Sequence, residues 1–256
     1  MTPIKKKILI TFSALLAVVL IAILVFLQQI YRAESDQLAK FYQQNADSLI
    51  VTEYSNYWQI SPKNTDCADE VCVRSRETGF IYYPGALVEP QAYFYKQDFL
   101  ANDEQRRSNV FITKPPLYLA IFGINQATEI ISNNPDIKRW VIGGHSLGGA
   151  MACEYAKNHT DRVSTLVMIG AYCSSNISDT NLTVITIHGS EDGILNMEKF
   201  TANAVLLPSS ATNFTITGMN HAQAGDYGEQ KGDNPALVSD EQVKDELKTI
   251  YSTILN

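Results

Sequence analysis

The chain has 256 residues, of which 45% are hydrophobic and 18% charged, a composition that fits one folded domain and excludes a disordered, collagen-like or coiled-coil protein. Its net charge of -7 is unevenly distributed, because residues 1–33 carry Lys5–Lys7 and Arg32 but no acidic side chain. Residues 34–256 therefore hold 16 basic and 27 acidic side chains, and so acidic a region disfavours binding to nucleic acid.

The first predicted element is a membrane-spanning helix. The run from Ile8 to Leu27 has 20 residues without a charge, and a helix of that length spans roughly 30 Å, the thickness of a bilayer core. A cleavable signal peptide is the alternative, although its apolar part is usually about 7–15 residues long. The lysines before the run should stay in the cytoplasm. Residues 1–31 are thus predicted to be a single-pass signal anchor at the cell membrane, with the rest of the chain outside the cell.

The rest of the chain is predicted to be an α/β domain. Residues 32–54 are expected to form a linker with an amphipathic helix over 34–49, and residues 55–256 alternate short β-type runs with helical stretches. That alternation is typical of a largely parallel sheet flanked by helices. The last helix should begin at Ser239, which can form a capping box with Gln242. Seven strands are predicted, over residues 55–59, 79–83, 109–113, 139–143, 164–169, 183–188 and 214–217.

The cysteines indicate neither a disulfide scaffold nor a metal site. Four are too few for a scaffold. Cys67 and Cys72 lie in a polar stretch in which an oxidising exterior would permit a bridged loop, and the sequence leaves their bonding open. No second C-x-x-C pair or paired histidine follows them, so we expect no metal site. Cys153 and Cys173 lie in apolar contexts and are predicted to be buried.

The strongest chemical signal is a G-x-S-x-G motif, which reads Gly144-His145-Ser146-Leu147-Gly148. It comes directly after a β-type run and begins a helical one, which is the context of a nucleophile elbow. Small flanking residues allow a serine to stand on such a sharp turn. The N–H of Leu147, at the start of the helix, can donate to a developing oxyanion. We therefore predict that Ser146 is a nucleophile.

A nucleophilic serine needs a general base, and the chain has only four histidines. His145 lies on the elbow itself and cannot reach the Oγ of its neighbour. His159 ends a polar helical stretch, and His188 closes a predicted strand. His221 follows the last predicted strand, and loops at the carboxyl ends of parallel strands are where α/β sheets build their sites. His221 is therefore the predicted base.

The base needs an acid to orient it and to stabilise its charged form. Asp192 lies in the turn after the penultimate predicted strand and is followed by Gly193. The adjacent Glu191 is less well placed to direct its carboxylate over the strand ends, and Asp226 is a weaker rival in a later loop. Asp192 is the predicted acid.

Four stretches of the chain match the pattern of one protein family. They are the elbow GGHSLGGAMA, the strand and loop FIYYPGALVEP at residues 80–90, the turn HGSEDG at 188–193 and the loop GMNHAQ at 218–223. On these stretches the chain resembles the α/β-hydrolase superfamily, and within it membrane-anchored bacterial members related to dienelactone hydrolases. The resemblance runs from about residue 55 to the C-terminus and implies an α/β-hydrolase fold. The order nucleophile, acid, base is the one that this superfamily uses.

The resemblance also implies where the substrate contacts lie. The turn after Tyr83 would supply the second oxyanion donor, the N–H of Ala86 or of Leu87, and Gly85 would permit a close approach of the substrate. Two departures of this sequence from the family pattern limit which properties the resemblance implies. The H-G-G-G motif of many lipases and esterases is absent, and the nucleophile is a serine where dienelactone hydrolases use cysteine. The resemblance therefore does not indicate the substrate of this protein.

Two charged residues near the predicted site have two readings each. Glu89 follows the oxyanion turn, where related enzymes have an acid, so it could line the cleft; equally, it could be a solvated charge before Pro90. Lys114 follows a predicted strand at the same edge of the sheet and could contact substrate, although a Pro-Pro turn alone would explain its sequence context.

These features predict a membrane-anchored serine hydrolase that acts on an ester outside the cell through an acyl-enzyme. It would need no cofactor, because the neighbouring base activates the nucleophile. Its expected partners are a small-molecule or envelope-attached ester and the membrane. An acyltransferase with the same triad and an envelope acceptor is the alternative, and a non-catalytic binding module would predict a damaged triad.

Overall fold

Eight strands form one sheet in the computed structural model, which describes residues 3–63, 70, 76–102 and 107–254. Their order across the sheet is β1-β2-β4-β3-β5-β6-β7-β8. Strands β3 to β8 are parallel, and β1 and β2 form an antiparallel edge beside β4. The strands are β1 (Leu49–Glu53), β2 (Tyr57–Pro62), β3 (Thr78–Tyr83), β4 (Asn109–Thr113), β5 (Arg139–His145), β6 (Val163–Ile169), β7 (Thr183–Gly189) and β8 (Thr212–Ile216).

Helices precede the sheet, follow it and connect several of its strands. In the described parts of the chain they are α1 (Pro3–Leu27), α2 (Ser35–Asn45), α3 (Phe94–Gln97), α4 (Phe99–Asn102), α5 (Gln126–Asn133), α6 (Leu147–Asn158), α7 (Met197–Ala202) and α8 (Asp240–Ile254). The predicted capping box before α8 is present, since the amide of Gln242 donates to Oγ of Ser239 and the amide of Ser239 donates to Oε1 of Gln242. The described part of the chain thus has the predicted α/β architecture.

The centre of the sheet is buried on both faces. Alternate residues of a strand point to opposite faces, so Phe80 and Tyr82 of β3 join one core while Ile81 and Tyr83 join the other. Helix α8 covers the first face and α6 covers the second. Burial on both faces explains why β3 is a continuous apolar run and not an alternating one.

The predicted strands are all found, and one strand was missed. Each of the seven predictions overlaps a strand of the sheet. Strand β1 lies within residues 32–54, which were predicted to be a linker. It is an edge strand of which only Leu49 is buried, so it lacks the alternation that predicts a strand.

The predicted membrane helix coincides with α1. Within the described ranges, however, no helix is long and apolar enough to cross a membrane.

The segment after α1 is attached to the main domain. The amide of Tyr31 donates to the carbonyl of Leu87 at 2.7 Å, and the amide of Glu89 donates to the carbonyl of Tyr31 at 2.9 Å. Arg32 forms an ion pair with the carboxylate of Glu89. The loop after β3 is thus held from outside by a segment more than 50 residues earlier in the sequence.

The two buried cysteines are bonded to each other. Cys153 of α6 and Cys173 in the loop after β6 form a disulfide, with their Cα atoms 5.7 Å apart. Both are buried, as predicted. Their apolar contexts gave no sign of the bond, because they are 20 residues apart and meet only when α6 packs on β6. Cys67 and Cys72 lie outside the described residues.

Candidate active site

Ser146 occupies the turn between β5 and α6. Its backbone has φ 53° and ψ -124°, a strained conformation for a non-glycine residue and one expected of a nucleophile elbow. A Cβ added at Gly148 would lie 2.1 Å from the carbonyl oxygen of Tyr83, and one added at Gly144 would lie 2.6 Å from the same atom. The two glycines of the motif are therefore required, because β3 passes directly against the elbow.

His221 and Asp192 form a buried pair. Nδ1 of His221 lies 2.8 Å from Oδ2 of Asp192, and both side chains are at most 2% exposed. The other carboxylate oxygen accepts hydrogen bonds from the amides of Ile194 and Leu195. Burial alone would raise the pKa of Asp192, but these hydrogen bonds, that of His221 first, lower it below its ordinary value. Asp192 is therefore held as a carboxylate that orients the ring of His221.

The second nitrogen of that ring is available for proton transfer. Nε2 of His221 is buried and has no hydrogen-bond partner among the described residues. The end of β6 lies next to both the elbow and the ring of His221, because the amide of Ser146 donates to the carbonyl of Ile169 and a Cβ at the next residue, Gly170, would lie 2.9 Å from Nδ1 of His221. Gly170 has φ 56°, so both its conformation and its surroundings require glycine.

The other two histidines outside the elbow have structural partners. Nδ1 of His159 lies 2.9 Å from the carbonyl oxygen of Tyr155, and Nε2 of His188 lies 3.2 Å from the hydroxyl of Thr215. These contacts fit the helix-end and strand-end positions that the sequence suggested for them.

The rival acids are engaged elsewhere. Asp226 lies 3.0 Å from Nζ of the fully buried Lys96. Burial raises the pKa of Asp226 to about 6, against the opposing effect of Lys96. Glu191 accepts a hydrogen bond from the hydroxyl of Ser190. Among the three acids considered, Asp192 is the one that contacts His221.

Two amides are free to bind an oxyanion. In the described structure the N–H of Ala86 has no acceptor, and neither has that of Leu147, which is the first residue of α6. The amide of Leu87 instead donates to the carbonyl of Tyr118 at 2.8 Å. Of the two donors predicted in the turn after Tyr83, Leu87 is therefore excluded, because its hydrogen is already used.

Glu89 and Lys114 do not have the free side chains that substrate contacts would need. Besides its ion pair with Arg32, Glu89 accepts the amide of Ala33 at 3.0 Å. Nζ of Lys114 lies 2.5 Å from Oε1 of Glu53 and donates to the carbonyl of Tyr54. These partners argue against the predicted substrate contacts of Glu89 and Lys114. They belong to earlier segments of the chain, and no sequence pattern indicates that those segments contact the two residues.

Gly85 packs closely against protein side chains, and the predicted close approach of a substrate to it stays a prediction. A Cβ on this residue would lie 2.8 Å from Nδ1 of His145 and 3.1 Å from the hydroxyl of Tyr93. Its neighbours are therefore protein side chains, and the close contact is with them.

One important residue was missed by the sequence reasoning. The carboxylate of Asp233 accepts the amide of Gly193 through Oδ1 and the amide of Ala222 through Oδ2, each at 2.9 Å. Gly193 follows Asp192 and Ala222 follows His221, so a single carboxylate joins the acid turn to the histidine loop. The only sequence signal is an acid in a Gly-Asp-Asn-Pro turn, which does not indicate what the acid would contact.

No metal site is found in the described ranges. No group of three or more His, Cys, Asp or Glu side chains there could hold a metal ion. The expectation that the chain needs no cofactor stays a prediction.

The chain is similar in sequence and in fold to known proteins. A sequence model of the alpha/beta hydrolase family matches residues 79–245. No curated protein matches the chain. The fold is similar to that of the carboxylesterase CesB from Bacillus subtilis, at 10% identity and a TM-score of 0.52 over 86% of this chain and 98% of that chain. It is also similar to an esterase from Mycobacterium tuberculosis, at 8% identity and a TM-score of 0.57 over 86% of this chain and 96% of that chain.

A third structure extends over nearly the whole chain. It is a membrane phospholipase A described as a bacterial virulence factor, 12% identical, with a TM-score of 0.54 over 98% of this chain and 99% of that chain. Identities this low show a common fold alone. The relation to dienelactone hydrolases is not tested by these comparisons and stays a prediction.

Proposed function

This chain belongs to the alpha/beta hydrolase family, and from that premise we propose that it is a serine hydrolase acting on an ester or similar acyl compound. One observation supports the proposal: Ser146 lies on a strained elbow whose preceding residue, His145, has its ring 4.4 Å from that of His221, and His221 forms a buried pair with Asp192 and has an unpartnered Nε2. A serine, a base and an acid in this arrangement perform acyl transfer on several unrelated folds.

The proposed reaction has two halves. Oγ of Ser146 attacks the carbonyl carbon while Nε2 of His221 takes its proton, and Asp192 stabilises the charged ring that results. The amides of Ala86 and Leu147 donate to the oxyanion. His221 then gives the proton to the leaving alcohol, which leaves an acyl group on Ser146. A water molecule, deprotonated by His221, releases that acyl group and restores the serine.

A series of nitrophenyl esters of rising acyl length tests this proposal. The loop between β6 and β7, residues 170–182, contains no helix, so no cap of that origin covers the site. Long acyl chains should remain partly in water and forfeit about 0.8 kcal/mol per unburied CH₂. We expect hydrolysis with the highest kcat/KM for short acyl groups. A preference that keeps rising beyond about eight carbons would contradict the open site, and no hydrolysis of any ester would contradict the proposed function.

The choice between water and another acceptor needs its own measurement. Product analysis with and without an added alcohol separates hydrolysis from acyl transfer, because only a transferase makes the new ester in preference to the free acid. We expect the acid as the main product in both conditions.

We place the domain outside the cytoplasm. The Cys153–Cys173 disulfide supports this location, because such bonds persist in oxidising compartments. Attachment to the membrane through residues 1–31 stays a prediction from the sequence. Protease added to intact cells should degrade the domain, whereas full protection would place it in the cytoplasm.

A further inference from the structure

Tyr93 connects the oxyanion turn to the elbow. It ends a short 3-10 turn, Pro90–Tyr93, and its side chain is fully buried. Its hydroxyl oxygen accepts the amide of Gly85 at 2.9 Å and lies 3.0 Å from Nδ1 of His145. A buried polar chain therefore runs from Gly85 through Tyr93 to the residue before Ser146.

One arrangement of the hydrogens gives the hydroxyl hydrogen of Tyr93 an acceptor within this chain. The amide of Gly85 can only donate, so the hydroxyl oxygen of Tyr93 accepts there. The hydroxyl hydrogen is then available for Nδ1 of His145, which must be unprotonated to accept it. In this arrangement His145 carries its hydrogen on Nε2, which has no hydrogen-bond partner among the described residues.

His145 is held neutral beside the base. Burial lowers the pKa of His145 well below its ordinary value, and the nearby His221 lowers it further. The two rings lie 4.4 Å apart. A neutral ring at this distance avoids the repulsion that a second positive charge would exert on His221 when it takes the proton of the serine.

The same chain fixes the peptide that precedes the one with the free amide. The N–H of Gly85 is held by Tyr93, and its carbonyl accepts the amide of Val88 at 3.3 Å. The carbonyl of Gly85 and the N–H of Ala86 belong to one trans peptide and point in opposite directions. The N–H of Ala86 is therefore directed away from Val88.

We propose that Tyr93 and His145 are positioning residues: their hydrogen bond fixes the turn that presents the N–H of Ala86 to the oxyanion and keeps an uncharged ring against His221. This inference rests on the proposed serine hydrolase function and adds residues that the triad does not include. The direct contact of Gly85 with both side chains supports it, because any larger residue at Gly85 would displace the pair.

Tyr93→Phe tests the proposal against Tyr82→Phe. Tyr82 is a buried tyrosine of β3 whose ring centre lies 5.0 Å from that of Tyr93. Its hydroxyl has no hydrogen-bond partner among the described residues. We expect Tyr93→Phe to lower kcat for nitrophenyl acetate by about 10- to 100-fold with KM changed less than about twofold, because support for a transition-state donor is lost. Tyr82→Phe should keep the kcat of the unmodified protein. Each kcat is expressed per active site titrated with a fluorophosphonate.

A second pair of variants keeps the test decisive if Tyr93→Phe folds poorly. His145→Asn retains an acceptor near the position of Nδ1 and should keep kcat within about fivefold, whereas His145→Leu should lose as much as Tyr93→Phe. Combining Tyr93→Phe with His145→Leu should cost little more than either change alone, since both break one chain.

The proposal is overturned if kcat per active site survives both Tyr93→Phe and His145→Leu, or if Tyr82→Phe loses as much as Tyr93→Phe. A purely structural role would lower the melting temperature and the titrated fraction but not kcat per site. Failure of the underlying function is distinguishable, since Ser146→Ala would then retain activity.

Discussion

Ser146→Ala is expected to lower the turnover of ester hydrolysis by about 10⁶-fold while the domain stays folded, and His221→Ala should cost about as much. The reason is that the acyl-enzyme cannot form without the Oγ of Ser146, and this oxygen is not nucleophilic enough without Nε2 of His221. The elbow should persist in Ser146→Ala, because its geometry depends on Gly144 and Gly148 packing against β3. Turnover of nitrophenyl acetate and circular dichroism measure the two effects.

The control for the base is His159→Ala. His159 contacts Tyr155 at the end of α6 and should leave turnover unchanged when replaced. The double variant of Ser146 and His221 should be no slower than either single variant, because the two residues act as a unit. Near-normal turnover in His221→Ala would show that the base has been assigned wrongly.

The second large effect is expected for Asp192→Asn, about 10⁴-fold in kcat. An amide cannot stabilise the charged ring of His221, and it favours the wrong tautomer by offering a donor to Nδ1. The effect is smaller than for the serine or the base, because a fraction of His221 rings can still accept the proton. KM should change little, since Asp192 is buried and reaches the substrate only through His221.

Asp226→Asn is the matched control for this acid. It should keep kcat, because Asp226 pairs with Lys96 and not with His221. A severe loss of kcat in Asp226→Asn with a mild one in Asp192→Asn would move the acid to the later loop.

The two acids should also differ in how stability depends on pH. The pKa of Asp226 is raised to about 6 from an ordinary 3.8, so its protonation favours the folded state as the pH falls from about 7 to about 4. That of Asp192 is lowered, so its contribution is present above its ordinary pKa and is lost as the pH falls through the value in the folded state. Urea unfolding at several pH values measures this contribution. The gain in the free energy of unfolding that protonation of Asp226 provides between about pH 7 and pH 4 should be absent in Asp226→Asn and present in Asp192→Asn.

The parts of the site that could be predicted from sequence are those encoded in one short stretch. The elbow is such a stretch, because a strand, a serine between glycines and a small-residue helix follow one another within the chain. Asp192 and His221 could be placed because each comes directly after a predicted strand, and parallel strands bring their carboxyl ends to one edge. The structure places these two side chains in contact.

The parts that sequence could not provide depend on partners from distant segments. The sequence leaves open whether Glu89 lines the cleft, because its partner Arg32 is 57 residues earlier. Leu87 was an oxyanion candidate because nothing in the sequence shows that Tyr118 takes its hydrogen. Tyr93 is one of 13 tyrosines, and only the fold singles it out. Side-chain partners of this kind follow from packing and have no local pattern.

The central claim is that Ser146 is a nucleophile activated by His221, and covalent labelling tests it most directly. A fluorophosphonate reacts only with a serine whose hydroxyl is activated and whose oxyanion donors are in place. After incubation of the purified protein, peptide mass spectrometry should find one adduct per chain, on the peptide that contains Ser146, and labelling should be much slower in His221→Ala. An adduct on another residue, or no adduct on a folded protein, would contradict the account.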